Sequence, residues 1–386
     1  MISKGWDLSN REKKEYTFEE IKNNEIIYSQ HFDQDYAESL AKNLFRNIND
    51  LYFRPEFIGF DVPAQRNNPE KPLIYFSNHS GMAFPWDAMV LTGGLLLKYN
   101  REFTDAVRPL TSPMLSQSVL MNPFLADNFW KNAGAIDATF LNFETMMNYQ
   151  NSNLLVYPEG VPGIAKGHPR RYQLQRFSSS FIHMSIKHRT DLIPVHTVNG
   201  EYINPYNFKS DLLNKIVNKI GIPFLPVGFM TLLIPFQPWL FYFGFPAKLI
   251  YVRGNRIKPY EMTDKSFEDL TYDDLREIAE KVRKQAQAEL DEAVKKYGNI
   301  KYRWGELFSG MVKNPLKFPF YAPFLWPALF NMFIYWYNRG SKKKFSIRLR
   351  YFWAILVHNP IVYAFFIPIL GWIPIIWKGL RAPKDN

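Results

Sequence analysis

The 386-residue chain contains no cysteine. That excludes a disulfide framework, a thiol nucleophile and a zinc–thiolate site. The N-terminus, Met1-Ile2-Ser3-Lys4-Gly5-Trp6-Asp7, shows no apolar run of signal-peptide length, which argues against secretion. No G-x-S-x-G elbow occurs, so a hydrolase of that type would lack its usual nucleophile. Long unbroken apolar runs are missing too, because prolines interrupt each candidate. Pro223, Pro226 and Pro235 fall in the stretch 221–252, Pro319, Pro323 and Pro327 in 318–337, and Pro360, Pro368 and Pro374 in 351–377. A spanning helix of about twenty residues is disfavoured in all three.

What is present is positive charge and aromatic surface. Lys and Arg number 47 against 36 Asp and Glu, a net charge of +11, and aromatics make up 17% of the chain. In nucleic-acid binders the rings sit among the basic residues on a polar surface. Here they sit among Leu, Ile and Pro, so an anionic bilayer surface is the better partner and nucleic acid is set aside.

Two short blocks carry the chemistry. The first, Asn78-His79-Ser80-Gly81, follows the apolar run Leu73-Ile74-Tyr75-Phe76 and is followed by Asp87. The second is Tyr157-Pro158-Glu159-Gly160. An imidazole with a pKa of about 6.5 can take a proton from a hydroxyl at neutral pH, and a carboxylate on its other nitrogen would fix the tautomer and stabilise the imidazolium. Structural roles compete with this reading: Asp87 before Ala88-Met89-Val90-Leu91 suits a helix N-terminus, and Glu159 suits the first turn after Pro158. Asn78 and Ser80 are expected to shape the turn.

These blocks resemble the lysophospholipid and glycerolipid acyltransferase family, which carries N-H-x4-D followed by (F/Y)-P-E-G. The resemblance covers roughly residues 51–253 and implies His79 as general base, Asp87 as its orienting acid, and Glu159 and Gly160 as the acceptor-side block. Ile193-Pro194-Val195 followed by Gly200-Glu201 resembles the family's later P-V segment. Two departures stand out. Seven residues separate His79 from Asp87, so the linker must bulge, and Pro85 is placed to set that bulge. The second block reads Glu159-Gly160-Val161-Pro162, without the arginine of phosphate-handling relatives, and Gly134-Ala135-Ile136-Asp137 ends in Ala138 where another arginine often sits. Fewer guanidiniums favour a bulkier or uncharged lipid acceptor over a small phosphorylated one. Lys166, His168, Arg170 and Arg171 offer replacement charge, with Lys166, Arg170 and Arg171 the substrate-binding candidates; otherwise they form a solvated basic loop.

Along the chain, residues 1–50 read as a polar helical extension with only fragments of an apolar face. Residues 51–298 alternate short apolar runs (Leu73 to Phe76, Val107 to Leu110, Leu154 to Tyr157, Leu192 to Val198) with helical stretches, the pattern of an α/β domain with a mostly parallel sheet flanked by helices. Trp239 to Val252 reads as a hairpin turning at Pro246. Thr271 is the expected N-cap of a helix whose apolar positions run Leu275, Ile278, Ala279, Val282, Ala286, Leu290, Ala293, Val294 and Tyr297, with Gly298 as its C-cap. Residues 299–386 read as a C-terminal apolar, membrane-associating helical appendage of monotopic type, two re-entrant or interfacial hairpins with basic flanks; true spans and a buried soluble subdomain or oligomer contact are the alternatives. Asn359-Pro360 is an expected hairpin tip, and Trp326, Trp336, Trp353 and Trp372 are expected at the interface.

The resulting expectation is a membrane-associated O-acyltransferase on the cytoplasmic face. It uses no bound cofactor and no metal, and takes acyl-CoA or acyl carrier protein as co-substrate. The acyl chain passes from that thioester to a lipid hydroxyl, with backbone N–H groups or Lys166 stabilising the oxyanion. The alternative of another class is an inactive lipid-binding or transfer protein on the same fold.

Overall fold

A computed structural model describes residues 15–80, 84–220, 222, 224–340 and 345–381. Seven short strands form one sheet: β1 (Glu56–Ile58), β2 (Ile74–Ser77), β3 (Val107–Thr111), β4 (Ile136–Asp137), β5 (Asn153–Val156), β6 (Leu192–Val198) and β7 (Ile250–Arg253). Their spatial order is β1-β7-β6-β2-β5-β3-β4. Every neighbouring pair is parallel except β6–β7, which is antiparallel. The expected α/β architecture with a mostly parallel sheet is what forms.

β2 lies at the centre, with Ile74 in register with Leu154 of β5 and Leu192 of β6. Side chains alternate across a strand, so each strand feeds two cores. Ile74, Phe76, Leu154 and Val156 point into one, filled by the helices Phe140–Met146, Ser180–His188 and Tyr272–Tyr297. Tyr75, Leu155, Ile193 and Val195 point into the other, filled by the helix Trp86–Lys98, a helical run over 34–53 and the helix Trp326–Asn338. The molecule is a three-layer sandwich with the sheet in the middle.

The Tyr272–Tyr297 helix forms as its periodicity predicts. Thr271 accepts from the Asp274 N–H and the Asp274 side chain accepts from the Thr271 N–H, a reciprocal cap. Seven of the nine apolar positions, Leu275 to Ala293, are buried, each large one worth roughly 1.5–3 kcal/mol, while Val294 and Tyr297 are only partly covered. Gly298 ends the helix in right-handed conformation, so its C-cap role does not use the left-handed region.

Three expectations change. Residues 15–50 are not a separate extension: the helical run 34–53 passes through residue 50, with Leu44, Ile48 and Phe53 fully buried and Tyr52 Oη donating to the Gly244 carbonyl at 2.8 Å. Residues 1–14 lie outside the described residues. The hairpin over Trp239 to Val252 does not form; Pro238–Tyr242 is a 3₁₀ turn, and only Ile250–Arg253 becomes a strand, paired with β6 and β1. The first segment is taken up instead by the 3₁₀ turn that Pro238 opens.

The C-terminal segments also differ from two hairpins. They form helices of 13, 10 and 8 residues, Trp326–Asn338, Leu349–His358 and Trp372–Gly379. Among the described residues no helix is long and apolar enough to cross a membrane. Trp326 is fully buried, its ring 4.7 Å from Trp86 and 5.0 Å from Tyr52, and Trp336 is buried as well, so neither marks an interface. Asn359 donates to the Asn331 side chain at 2.8 Å, which places the expected tip against a neighbouring helix. Of the four tryptophans, Trp353 is exposed and Trp372 half-buried.

Candidate functional site

Both blocks sit at the C-terminal ends of adjacent strands, the usual position for sites in parallel sheets. Asn78 extends the β2 ladder with its side chain, donating to the Thr197 carbonyl at 3.0 Å and accepting from the Thr197 N–H at 2.8 Å. Ser77 Oγ donates to the Val195 carbonyl at 2.7 Å. The next residue, His79, is thereby carried on a backbone pinned to β6.

Glu159 holds that backbone from the other side. One carboxylate oxygen accepts the His79 N–H at 2.9 Å, and the other accepts the Gln175 N–H at 2.7 Å. Its side chain is therefore a brace between β2 and β5. Gly160 follows at φ +57°, and Gly163 lets the brace close: a Cβ there would meet Glu159 Cβ at 2.5 Å and His79 Cβ at 3.1 Å. The His79 ring stacks on Tyr157, centroids 4.4 Å apart at 21°. The second block thus supplies both a floor for the imidazole and a clamp for its main chain.

Burial, helped by the Lys166 charge, pushes the His79 imidazole down to about 3, so it is neutral at physiological pH. The expected His79–Asp87 contact is not formed: among the described residues no hydrogen bond or ion pair joins them. The Asp87 carboxylate accepts from Ser80 Oγ at 2.7 Å and from the Ala88 N–H at 2.8 Å, and burial pushes its pKa up. The longer linker explains the exchange. Asp87 sits in the first turn of the Trp86–Lys98 helix, where Trp86 Nε1 is tied to the Tyr242 carbonyl at 2.7 Å, and Ser80 reaches it first. Pro85 precedes that helix at its N-cap position. Gly81 lies outside the described residues.

Lys166 is not a surface cation. Its side chain is fully buried, with Nζ 3.9 Å from both Glu159 and Glu201 and no hydrogen-bond partner. Glu201 accepts the Tyr172 N–H at 3.2 Å, and burial outweighs the nearby Lys166 to push it up to about 7. Glu159 is also raised, chiefly by burial. Arg170 and Arg171 are exposed and do not line the cavity described next.

That cavity, of about 1030 Å³, opens beside His79, Ser80, Asp87 and Gly160. It extends between the sheet and the helical run 34–53, past Phe45, Leu96, Val107, Phe129 and Trp130. This exceeds the ~1,000 Å³ upper range of common small-molecule pockets, and its walls are mainly apolar. Ala135 and Ala138 of the Gly134-Ala135-Ile136-Asp137 segment form part of the wall. Arg176, Tyr272 and Arg276 also line it. They went unnoticed in the sequence because Arg176 falls beyond the second block and Arg276 on a helix read as packing. Lys166 does not reach the cavity, so direct contact with a substrate there falls to other groups.

No family model matches the chain, and no solved structure matches it. Uncharacterized proteins of Mycobacterium bovis and of two Mycobacterium tuberculosis strains are each 23% identical over 198 residues, 51% of this chain. The match likewise spans about half the length of those relatives, 51%.

Proposed function

We propose that this protein is a membrane-associated O-acyltransferase related to the lysophospholipid and glycerolipid acyltransferases. The observation that carries the reading is a neutral imidazole at the end of β2, clamped by the Pro-Glu-Gly block and opening onto a large apolar cavity. An acyl chain fits that cavity's chemistry, and a base at its wall fits the chemistry of ester formation.

In the proposed reaction His79 takes the proton of a lipid hydroxyl as the oxygen attacks the thioester carbonyl. The tetrahedral oxyanion then collapses, the C–S bond breaks, and the thiolate leaving group recovers the proton from the imidazolium. An ester and a free thiol result. The donor is acyl-CoA or acyl carrier protein, and no cofactor enters the scheme. Asp87 acts as a positioning residue through Ser80, the neighbour of His79. Glu159 holds the His79 main chain, and Gly160 allows the turn. Lys166 tunes the imidazole from below. The cavity wall carries alanine at 135 and 138 but also Arg176 and Arg276, so guanidiniums able to meet a phosphate come from outside the two motif blocks.

A second reading, a lipid-binding or transfer protein without catalysis, is favoured by one observation: without a carboxylate partner, the imidazolium that a general base must become is not stabilised. Incubating purified protein in detergent with labelled acyl-CoA or acyl carrier protein and a panel of lipid alcohols separates the two, with His79→Ala as the comparison. New ester with stoichiometric thiol release supports transfer, and tight lipid retention with no thiol release supports binding alone.

A further inference from the structure

The stretch 307–384 contains eleven Lys and Arg and no Asp or Glu, so it accounts for a number of charges equal to the whole +11 surplus of the chain. The stretch 212–260 is also free of acidic residues. The fold joins these two distant segments. Trp372 Nε1 donates to the Ile234 carbonyl at 2.8 Å, and the Ile369 N–H to the Phe236 carbonyl at 3.1 Å.

At that junction both segments turn apolar side chains outward. On the Trp372–Gly379 helix and its flanks, Leu370, Ile373, Trp377 and Leu380 are 58–68% exposed, spaced to fall on one helical face. The opposite face carries Ile375 and Gly379, which are buried. Beside it, Phe229, Leu232 and Phe236 are 57–66% exposed. Scattered exposed apolar residues are ordinary, but seven large ones on hydrogen-bonded neighbouring segments form a patch that calls for a partner. Arg381 lies over the Trp377 ring at 3.5 Å, and among the described residues it has no ion pair.

We propose that the 229–236 segment, a short helix (Phe229–Leu233) and the turn after it, and the Trp372–Gly379 helix together form the face that docks this protein onto an anionic lipid bilayer. Exposed aliphatic and indole groups enter the headgroup–acyl boundary while Arg381 meets anionic headgroups; Lys378 of the same helix is paired with Asp127 at 3.7 Å. The same face lies close to the cavity. The buried side of the helix reaches it: Gly379 packs on Leu120, and the next residue, Met121, lines the cavity wall, so the Trp372–Gly379 helix and Leu120 separate docked lipid from the cavity. The inference deepens the membrane-bound part of the proposed function and does not depend on the acyl-transfer chemistry.

Vesicle flotation without any acyl donor tests it, using the full chain with phosphatidylcholine vesicles and with vesicles containing about a quarter phosphatidylglycerol. Wild type is expected to float with the anionic vesicles and less with the neutral ones. The pair Ile373→Ser/Trp377→Ser is expected to lower binding roughly tenfold or more, and Phe229→Ser/Leu232→Ser similarly, because the apolar contact is removed. All four side chains are exposed, so the unfolding midpoint should be unchanged. Undiminished flotation of both variants, or no flotation of wild type, overturns the proposal. So does a sedimenting dimer that the Ile373→Ser/Trp377→Ser variant dissolves, since a second copy would then cover the face.

Discussion

The His79 imidazole stacks on the Tyr157 ring, and its acid–base behaviour is set by burial and by the charge of the buried Lys166. Held at about 3 against an ordinary 6.5, it stays neutral in the folded protein where the unfolded chain takes up a proton. Between those two values the unfolded state binds more protons, so stability falls as pH drops from about 6.5 towards 3. His79→Gln should remove this contribution, so the difference in urea midpoint between wild type and variant should change progressively over that window, with wild type losing more. Parallel curves would show that the imidazole titrates as it does in the unfolded chain. At this scale the sequence singled out the two blocks holding His79, Glu159 and Gly160, which the sheet brings together. It could not disclose that Glu159 grips a main-chain N–H, which depends on β2 and β5 being neighbours, or that Ser80 takes Asp87, which depends on where the Trp86–Lys98 helix is anchored.

Secondary structure was legible where one periodicity ran without interruption. The Tyr272–Tyr297 helix could be read from its apolar spacing and Thr271, and β2, β3, β5 and β6 from short apolar runs. Thr271→Ala is expected to cost about 1 kcal/mol, within the ~0.5–2 kcal/mol range for lost N-caps, measured by urea unfolding. A change below a few tenths would mean that tertiary packing alone holds the first turn. β4 has two residues and β1 three, too short for a pattern to register. Helix was expected through residue 50, but the buried face of the run 34–53 was hidden because that face is completed by π-type turns at 41–45 and 49–53, which shift the apolar spacing away from 3.6.

For the molecule as a whole, the three stretches anticipated from composition are packed as one. The first helical run and the helix Trp326–Asn338 cover the same sheet face, with Phe45 and Phe330 in ring contact at 6.5 Å. An apolar, aromatic, basic stretch carries the same composition whether it fills a core or meets a bilayer, and only tertiary contacts separate the two uses. Phe330→Ala, although far in sequence from both motif blocks, should therefore destabilise the protein by roughly 3–5 kcal/mol, the usual range for a buried Phe truncation. Thermal unfolding with a midpoint like wild type would instead mark the C-terminal region as a separate appendage.

The most direct test of acyl transfer compares purified wild type with His79→Ala in detergent, following ester formation from a labelled acyl thioester after both proteins are shown to be folded. Loss of the base should lower the rate about 10²-fold or more, the lower end of general-base contributions. Equal transfer by the two proteins would contradict the assignment of His79, and with it the catalytic account of this site.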